Sequence, residues 1–190
     1  MDAFLASTAV VALAEIGDKT QLLAILLAVR FRRPVAVIAG ILVATLANHF
    51  LAALLGHGIA GLLDSIAFRY AIALGFIAMA LWTLVPDTMD ADDAPRSRGG
   101  AFATTLVAFF LVEMGDKTQV ATIALGAQFG ATVGQVLAVT AGTTLGMMIA
   151  NVPAVYLGEA LIRRLSLARI RQAAALLFLA IGLWLLAGLQ

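Results

Sequence analysis

Two seven-residue runs concentrate the chemistry of this 190-residue chain. Glu15-Ile16-Gly17-Asp18-Lys19-Thr20-Gln21 and Glu113-Met114-Gly115-Asp116-Lys117-Thr118-Gln119 agree at every position but the second. Each run offers oxygen donors: two carboxylates, a threonine hydroxyl and a glutamine amide. The chain has no cysteine, so a thiolate site is excluded. An all-oxygen donor set favours calcium, magnesium or manganese over zinc or copper. With every group ionised, two acids and one lysine give each run a net charge of −1, and two runs face to face give −2. One divalent cation neutralises that sum. Glu15, Asp18, Glu113 and Asp116 are therefore the candidate metal ligands, with Lys19, Thr20, Gln21, Lys117, Thr118 and Gln119 supporting them.

Helical spacing predicts how each run presents its acids. Glu15 and Asp18 are three residues apart and Lys19 is four beyond Glu15, so an unbroken helix places them on one stripe with Thr8 and Leu22. Glu113, Asp116 and Lys117 repeat the pattern. Gly17 and Gly115 lie between the acids, where glycine permits close helix approach or local unwinding. A plainer reading makes Glu15–Lys19 and Glu113–Lys117 ion pairs that hold a bundle together, but it leaves Asp18 and Asp116 as surplus anions. Asn48 and Asn151 recur in matching places and are candidates either for the site or for hydrogen bonds between helices. His49 and His57 are expected near the outer end of their span, as packed or interfacial side chains rather than ligands.

Those runs lie within apolar surroundings. The chain is 63% hydrophobic and 12% charged, with a mean hydropathy of +1.04. A soluble domain is about a quarter charged, and too little polar surface is left here to cover one. Six apolar blocks follow, approximately Ala3–Val29, Val35–Leu55, Tyr70–Val85, Ala101–Ala127, Val133–Leu157 and Ala173–Leu189. Crossing the hydrocarbon core takes about 20 helical residues. Helices are expected because lipid offers the backbone no partner and the alternation of barrel strands is absent. An apolar run ending at Ala12-Leu13-Ala14 could pass for a signal peptide, but its leading segment carries Asp2 and no lysine or arginine. It reads as a transmembrane helix. Charges buried in such spans cost several kcal/mol and mark function.

Loop charges give the expected orientation. The odd-numbered loops hold Arg30, Arg32, Arg33, Arg96, Arg98, Arg163, Arg164, Arg169 and Arg171, and the even ones hold only Arg69. The positive-inside rule makes the odd loops cytoplasmic and puts both termini outside. Trp82 and Trp184 read as interface anchors. The basic residues lack aromatic interleaving, so no nucleic-acid partner is expected.

The two halves match beyond the acidic runs. Ala39-Gly40 pairs with Ala141-Gly142, Ala47-Asn48 with Ala150-Asn151, Leu55-Gly56 with Leu157-Gly158, and Trp82 with Trp184. Three spans per half is an odd number, so the second copy enters from the opposite side. The expected architecture is an all-α integral membrane protein of six transmembrane helices in two inverted three-helix repeats. Residues 1–85 form the first repeat, 86–100 a cytoplasmic acidic linker and 101–190 the second repeat. Inverted repeats of this kind place substrate near the midplane where they meet.

The doubled Glu-x-Gly-Asp-Lys-Thr run, one per three-span half, resembles the Gdt family of calcium/manganese cation antiporters. The resemblance covers nearly the whole chain. It implies export of manganese or calcium from the cytosol in exchange for protons or another cation such as sodium, in a bacterial inner membrane. It also implies that Glu15, Asp18, Glu113 and Asp116 bind the ion. No resident cofactor and no enzymatic activity are expected. The rival readings are an exporter of a small organic cation such as a basic amino acid, an intramembrane lipid-phosphate hydrolase, and an ion channel. The hydrolase wants arginine or lysine clamps and a nucleophile, and no arginine lies within an expected span.

Overall fold

A computed structural model describes residues 2–86, 99–158 and 166–189, with the side chains of residues 63 and 64 excepted. Among the described residues the chain is helical, without strands. In chain order the helices are α1 (Asp2–Glu15), α2 (Lys19–Phe31), α3 (Pro34–Ile59), α4 (Ile66–Leu84), α5 (Ala101–Glu113), α6 (Lys117–Phe129), α7 (Val133–Leu157) and α8 (Leu167–Ala187). A 3₁₀ turn, Ala60–Asp64, joins α3 to α4.

Local sequence sets the boundaries. Pro34 opens α3 at its first turn, where a missing N–H costs nothing. Thr132 and Gln135 form a reciprocal capping box at the start of α7. Gly17 and Gly115 break the helices around them. Their φ angles are +84° and +83°, a left-handed conformation that costs a residue with a Cβ about 1–2 kcal/mol. The expected blocks Ala3–Val29 and Ala101–Ala127 are therefore discontinuous. Each is a pair of short helices meeting at a glycine turn.

Four helical stretches are long and apolar enough to cross a membrane: Pro34–Leu62, Ile66–Leu84, Val133–Leu157 and Leu167–Ala187. Large aliphatic side chains such as Leu46, Leu81, Leu137, Leu145 and Leu176 point outward from them. A continuous apolar exterior fits hydrocarbon rather than water. The chain is an integral membrane protein.

Two boundaries differ from the sequence expectation. Arg69 lies within α4, and Arg169 and Arg171 lie in the first turns of α8, because helices continue past the apolar block into the polar zone. Arg69 Nη2 lies 3.5 Å from the Gly188 carbonyl at the end of α8. The acidic stretch Asp87–Asp93, Arg96, Arg98, Arg163 and Arg164 fall outside the described residues.

Packing interleaves the halves. Gly40 of α3 faces the Phe102 carbonyl and Thr105 of α5, and Gly142 of α7 faces the Phe4 carbonyl and Ser7 of α1. A side-chain carbon on either glycine would collide with backbone, so the bare Cα lets the helices close. One core cluster joins Val10 and Ala14 of α1 to Phe76 of α4, Leu125 of α6 and Phe178 of α8. The other joins Leu23 and Leu27 of α2 to Ile41 of α3, Phe109 of α5 and Val155 of α7. The acidic side chains beside both glycine turns are buried, whereas the backbone of the second turn, at Met114 and Gly115, is exposed.

Candidate cation-binding site

Each turn places its acids at opposite helix ends. Glu15 and Glu113 are the last residues of α1 and α5, while Asp18 and Asp116 are the N-caps of α2 and α6. A helix carries about half a positive charge at its N-terminus and half a negative charge at its C-terminus. The aspartates therefore sit where an anion is favoured and the glutamates where it is not. The turns close on themselves, with the Asp18 N–H donating to the Glu15 carbonyl and the Asp116 N–H to that of Glu113, each at 3.1 Å.

All four acids are buried, none more than 2% exposed. The carboxylates of Glu113, Asp18 and Asp116 all lie close enough to act electrostatically on Glu15. The structure thus brings the four expected ligands into one neighbourhood. Among the described residues, no three His, Cys, Asp or Glu side chains are yet arranged around a common point to hold a metal ion.

The lysines bind across the site. Lys19 Nζ lies 2.9 Å from Asp116 Oδ1, and Lys117 pairs with Asp18. Each lysine reaches the aspartate of the opposite run. This corrects the expected stripe, and it pairs each lysine differently from the plainer reading of Glu15–Lys19 and Glu113–Lys117. The spacing rule assumes an unbroken helix, and the turn at Gly17 or Gly115 destroys that register. Thr8 is diverted as well, its hydroxyl donating to the Phe4 carbonyl at 2.8 Å.

Threonine and glutamine complete the inner ring. Thr20 donates to Glu15 Oε1, and Thr118 donates to Glu113 Oε2 at 2.9 Å. Each hydroxyl also lies 3.4 Å from the aspartate of its own run. Gln21 Oε1 accepts from the Gly17 N–H at 2.9 Å, and Gln119 Oε1 accepts from that of Gly115 at 2.6 Å. The glutamines thereby pin the glycine turns. Their other ends differ: Gln21 Nε2 donates to the Ala150 carbonyl at 2.9 Å, and Gln119 Nε2 donates to Asn48 Oδ1 at 2.6 Å. Asn48 is thus engaged between helices, with Nδ2 3.4 Å from the Phe110 carbonyl. Asn151 turns back on its own helix, donating to the Met147 carbonyl at 3.1 Å.

Several buried oxygens have no hydrogen-bond partner: Glu15 Oε2, Glu113 Oε1 and Asn151 Oδ1. Buried polar atoms are nearly always satisfied, and an orphan needs a reason. The two glutamates thus combine an unpartnered carboxylate oxygen with an unfavourable helix end. Both defects are relieved by a cation.

Sequence reasoning misplaced one residue here. His49 lies in the interior of α3, not near its outer end, and is fully buried with Nε2 3.8 Å from Glu113 Oε2. The signal that could have found it is its place next to Asn48, which the repeat already marks. His57, by contrast, pairs through Nδ1 with the Gly130 carbonyl.

Comparison with known proteins finds the same family unit in each half of the chain. The family described as “Divalent cation/proton antiporter GDT1” matches twice, over residues 3–91 and 101–189. A Vibrio cholerae serotype O1 protein named “Putative manganese exporter” is 47% identical over 177 residues, covering 93% of this chain and 86% of that one. A GDT1-like protein of Synechocystis is 31% identical over 199 residues, covering 94% of this chain and 93% of its own length. No solved structure matches the chain at a comparable level of significance.

Proposed function

We propose that this chain, which belongs to the divalent cation/proton antiporter GDT1 family, exports manganese and/or calcium from the cytosol in exchange for protons. The observation that carries the proposal is the pair of buried glutamates, each at the negative end of a half-helix with one unpartnered oxygen. Half-helix C-termini in broken spans are suited to coordinating a cation. The oxygen-only set of Glu15, Asp18, Glu113 and Asp116 suits a hard divalent ion. The relative named as a manganese exporter supports manganese as one substrate.

In this reading residues 2–31 and 101–129 each cross the bilayer as a broken helix. With the four long stretches they make six crossings in two inverted repeats, with both termini outside a bacterial inner membrane. Residues 1–85 and 101–190 are the repeats, and 86–100 is the cytoplasmic linker.

The cycle follows from charge. The lysine ammoniums hold the two aspartates while no ion is bound. A divalent cation entering from the cytoplasm binds the glutamates first and competes with Lys19 and Lys117 for the aspartates. Neutralising the site lowers the cost of enclosing it, and the bundle passes to its outward-open state. There the ion leaves and protons take its place on the same oxygens. Taking a carboxyl group out of water favours its neutral form, so the protonated site returns. The chain acts as a carrier rather than an enzyme.

The test is flux of manganese and calcium into liposomes, with and without a pH gradient, beside Glu15→Gln and Glu113→Gln. Gradient-dependent flux is expected in the wild type, falling at least about 100-fold in each variant, equivalent to about 2.7 kcal/mol. Gradient-driven flux at the wild-type rate in either variant would remove that glutamate from the site.

A further inference from the structure

The two runs are copies of each other, but the ring around them is not. Ala47-Asn48 corresponds to Ala150-Asn151, so the partner position of His49 is Val152. One imidazole therefore stands beside a site otherwise made of oxygen. It is fully buried, and neither ring nitrogen has a hydrogen-bond partner. Its Nε2 lies 3.8 Å from Glu113 Oε2, too far for a hydrogen bond. Glu113 satisfies Oε2 from Thr118 and leaves Oε1 unpartnered. An imidazole without a hydrogen bond thus faces a buried carboxylate whose other oxygen, Oε1, is unpartnered, in the interior of a membrane protein where each is costly. A structural histidine is usually satisfied, as His57 is by the Gly130 carbonyl.

A metal ion bound by Glu113 satisfies both. Neutral imidazole is a common metal ligand. Affinity for a site holding nitrogen rises through the first-row dications from manganese, the weakest of them, to copper, whereas calcium and magnesium take oxygen. We infer that His49 supplies the nitrogen ligand that makes this site prefer a first-row transition-metal dication over calcium. The inference rests on the cation-transport reading above and deepens it by naming the cation class and the residue that selects it. Because the second half carries Val152, the selecting contact is made on one side of the ion only.

The experiment loads the full-length protein in detergent with manganese(II) and measures electron spin-echo modulation, with and without ¹⁵N-histidine labelling. A coupled nitrogen that changes with the label is expected, and His49→Gln should remove it. Bound manganese without nitrogen coupling in the wild type would overturn the assignment, whatever the variant does. In liposomes, the ratio of manganese to calcium flux should fall about tenfold in His49→Gln, equivalent to about 1.4 kcal/mol. An unchanged ratio overturns the assignment and leaves cation transport standing. A wild type that binds and carries neither ion ends both.

Discussion

The Glu15–Gln21 turn is covered at its glycine and open at its lysine, and the Glu113–Gln119 turn is the reverse, although the two sequences differ at one position. Gly17 lies under Leu167 of α8, while nothing stands within 4 Å of the Cβ position at Gly115. Lys117, bound to Asp18, is 3% exposed, and Lys19, bound to Asp116, is 31% exposed. Gln119 is tied to Asn48, whereas Gln21 finds a main-chain carbonyl. The identical motif has acquired two environments, because its neighbours come from elements outside it. The carboxylates are buried alike in both runs, but the glycines and lysines beside them are not.

Lysine replacement should show the largest gap between the two sides. Lys117→Met takes the ammonium from a buried Asp18, and losing one partner of a buried pair costs about 3–5 kcal/mol. Lys19→Met should cost less, between that value and the ~1 kcal/mol of a solvent-exposed pair. Thermal unfolding in detergent reads the difference, and equal losses would erase the distinction between an enclosed and an open lysine. Glycine replacement is next. Alanine at either position meets the left-handed penalty of about 1–2 kcal/mol. Gly17→Ala should lose more than Gly115→Ala, because its methyl comes within 3.0 Å of Leu167. Leu167→Ala should recover the excess for Gly17→Ala alone. The asparagines give the smallest contrast. Asn48→Ala leaves the Gln119 amide without its acceptor and should cost about 1 kcal/mol. Asn151→Ala removes a bond within one helix and should cost about half as much. The reverse order would mean that the orphan Asn151 oxygen is the more important group.

Much of this was legible in the residues. The membrane character followed from the apolar blocks, the buried acids from the doubled run, and the helix breaks from Gly17 and Gly115. The pairing of the acids was not legible. A rule for residues three and four apart holds only on a continuous helix, and the same glycines that flagged a break cancelled that register. Cross-pairing of Lys19 with Asp116 and Lys117 with Asp18 needs the relative placement of α2 and α6, which no local pattern carries. His49 was underrated for a related reason. A lone histidine has no periodicity of its own, and its meaning comes from Glu113, sixty-four positions away in the chain. The difference between the two turns was invisible in principle, since it arises from Leu167 and Asn48 rather than from the motif.

The seating of α7 on α1 through Gly142, and of α5 on α3 through Gly40, has a consequence for biogenesis. During synthesis the first half enters the bilayer well before α7 exists. Until then the face of α1 around Phe4 and Ser7 lacks Gly142 against it, and Gly40 of α3 lacks Phe102 and Thr105 of α5. Both interior clusters also draw residues from each half, so α1 to α4 alone leave both clusters incomplete. The close helix contacts, and the cross-run pairs that reach the buried acids, therefore require residues from both ends of the chain.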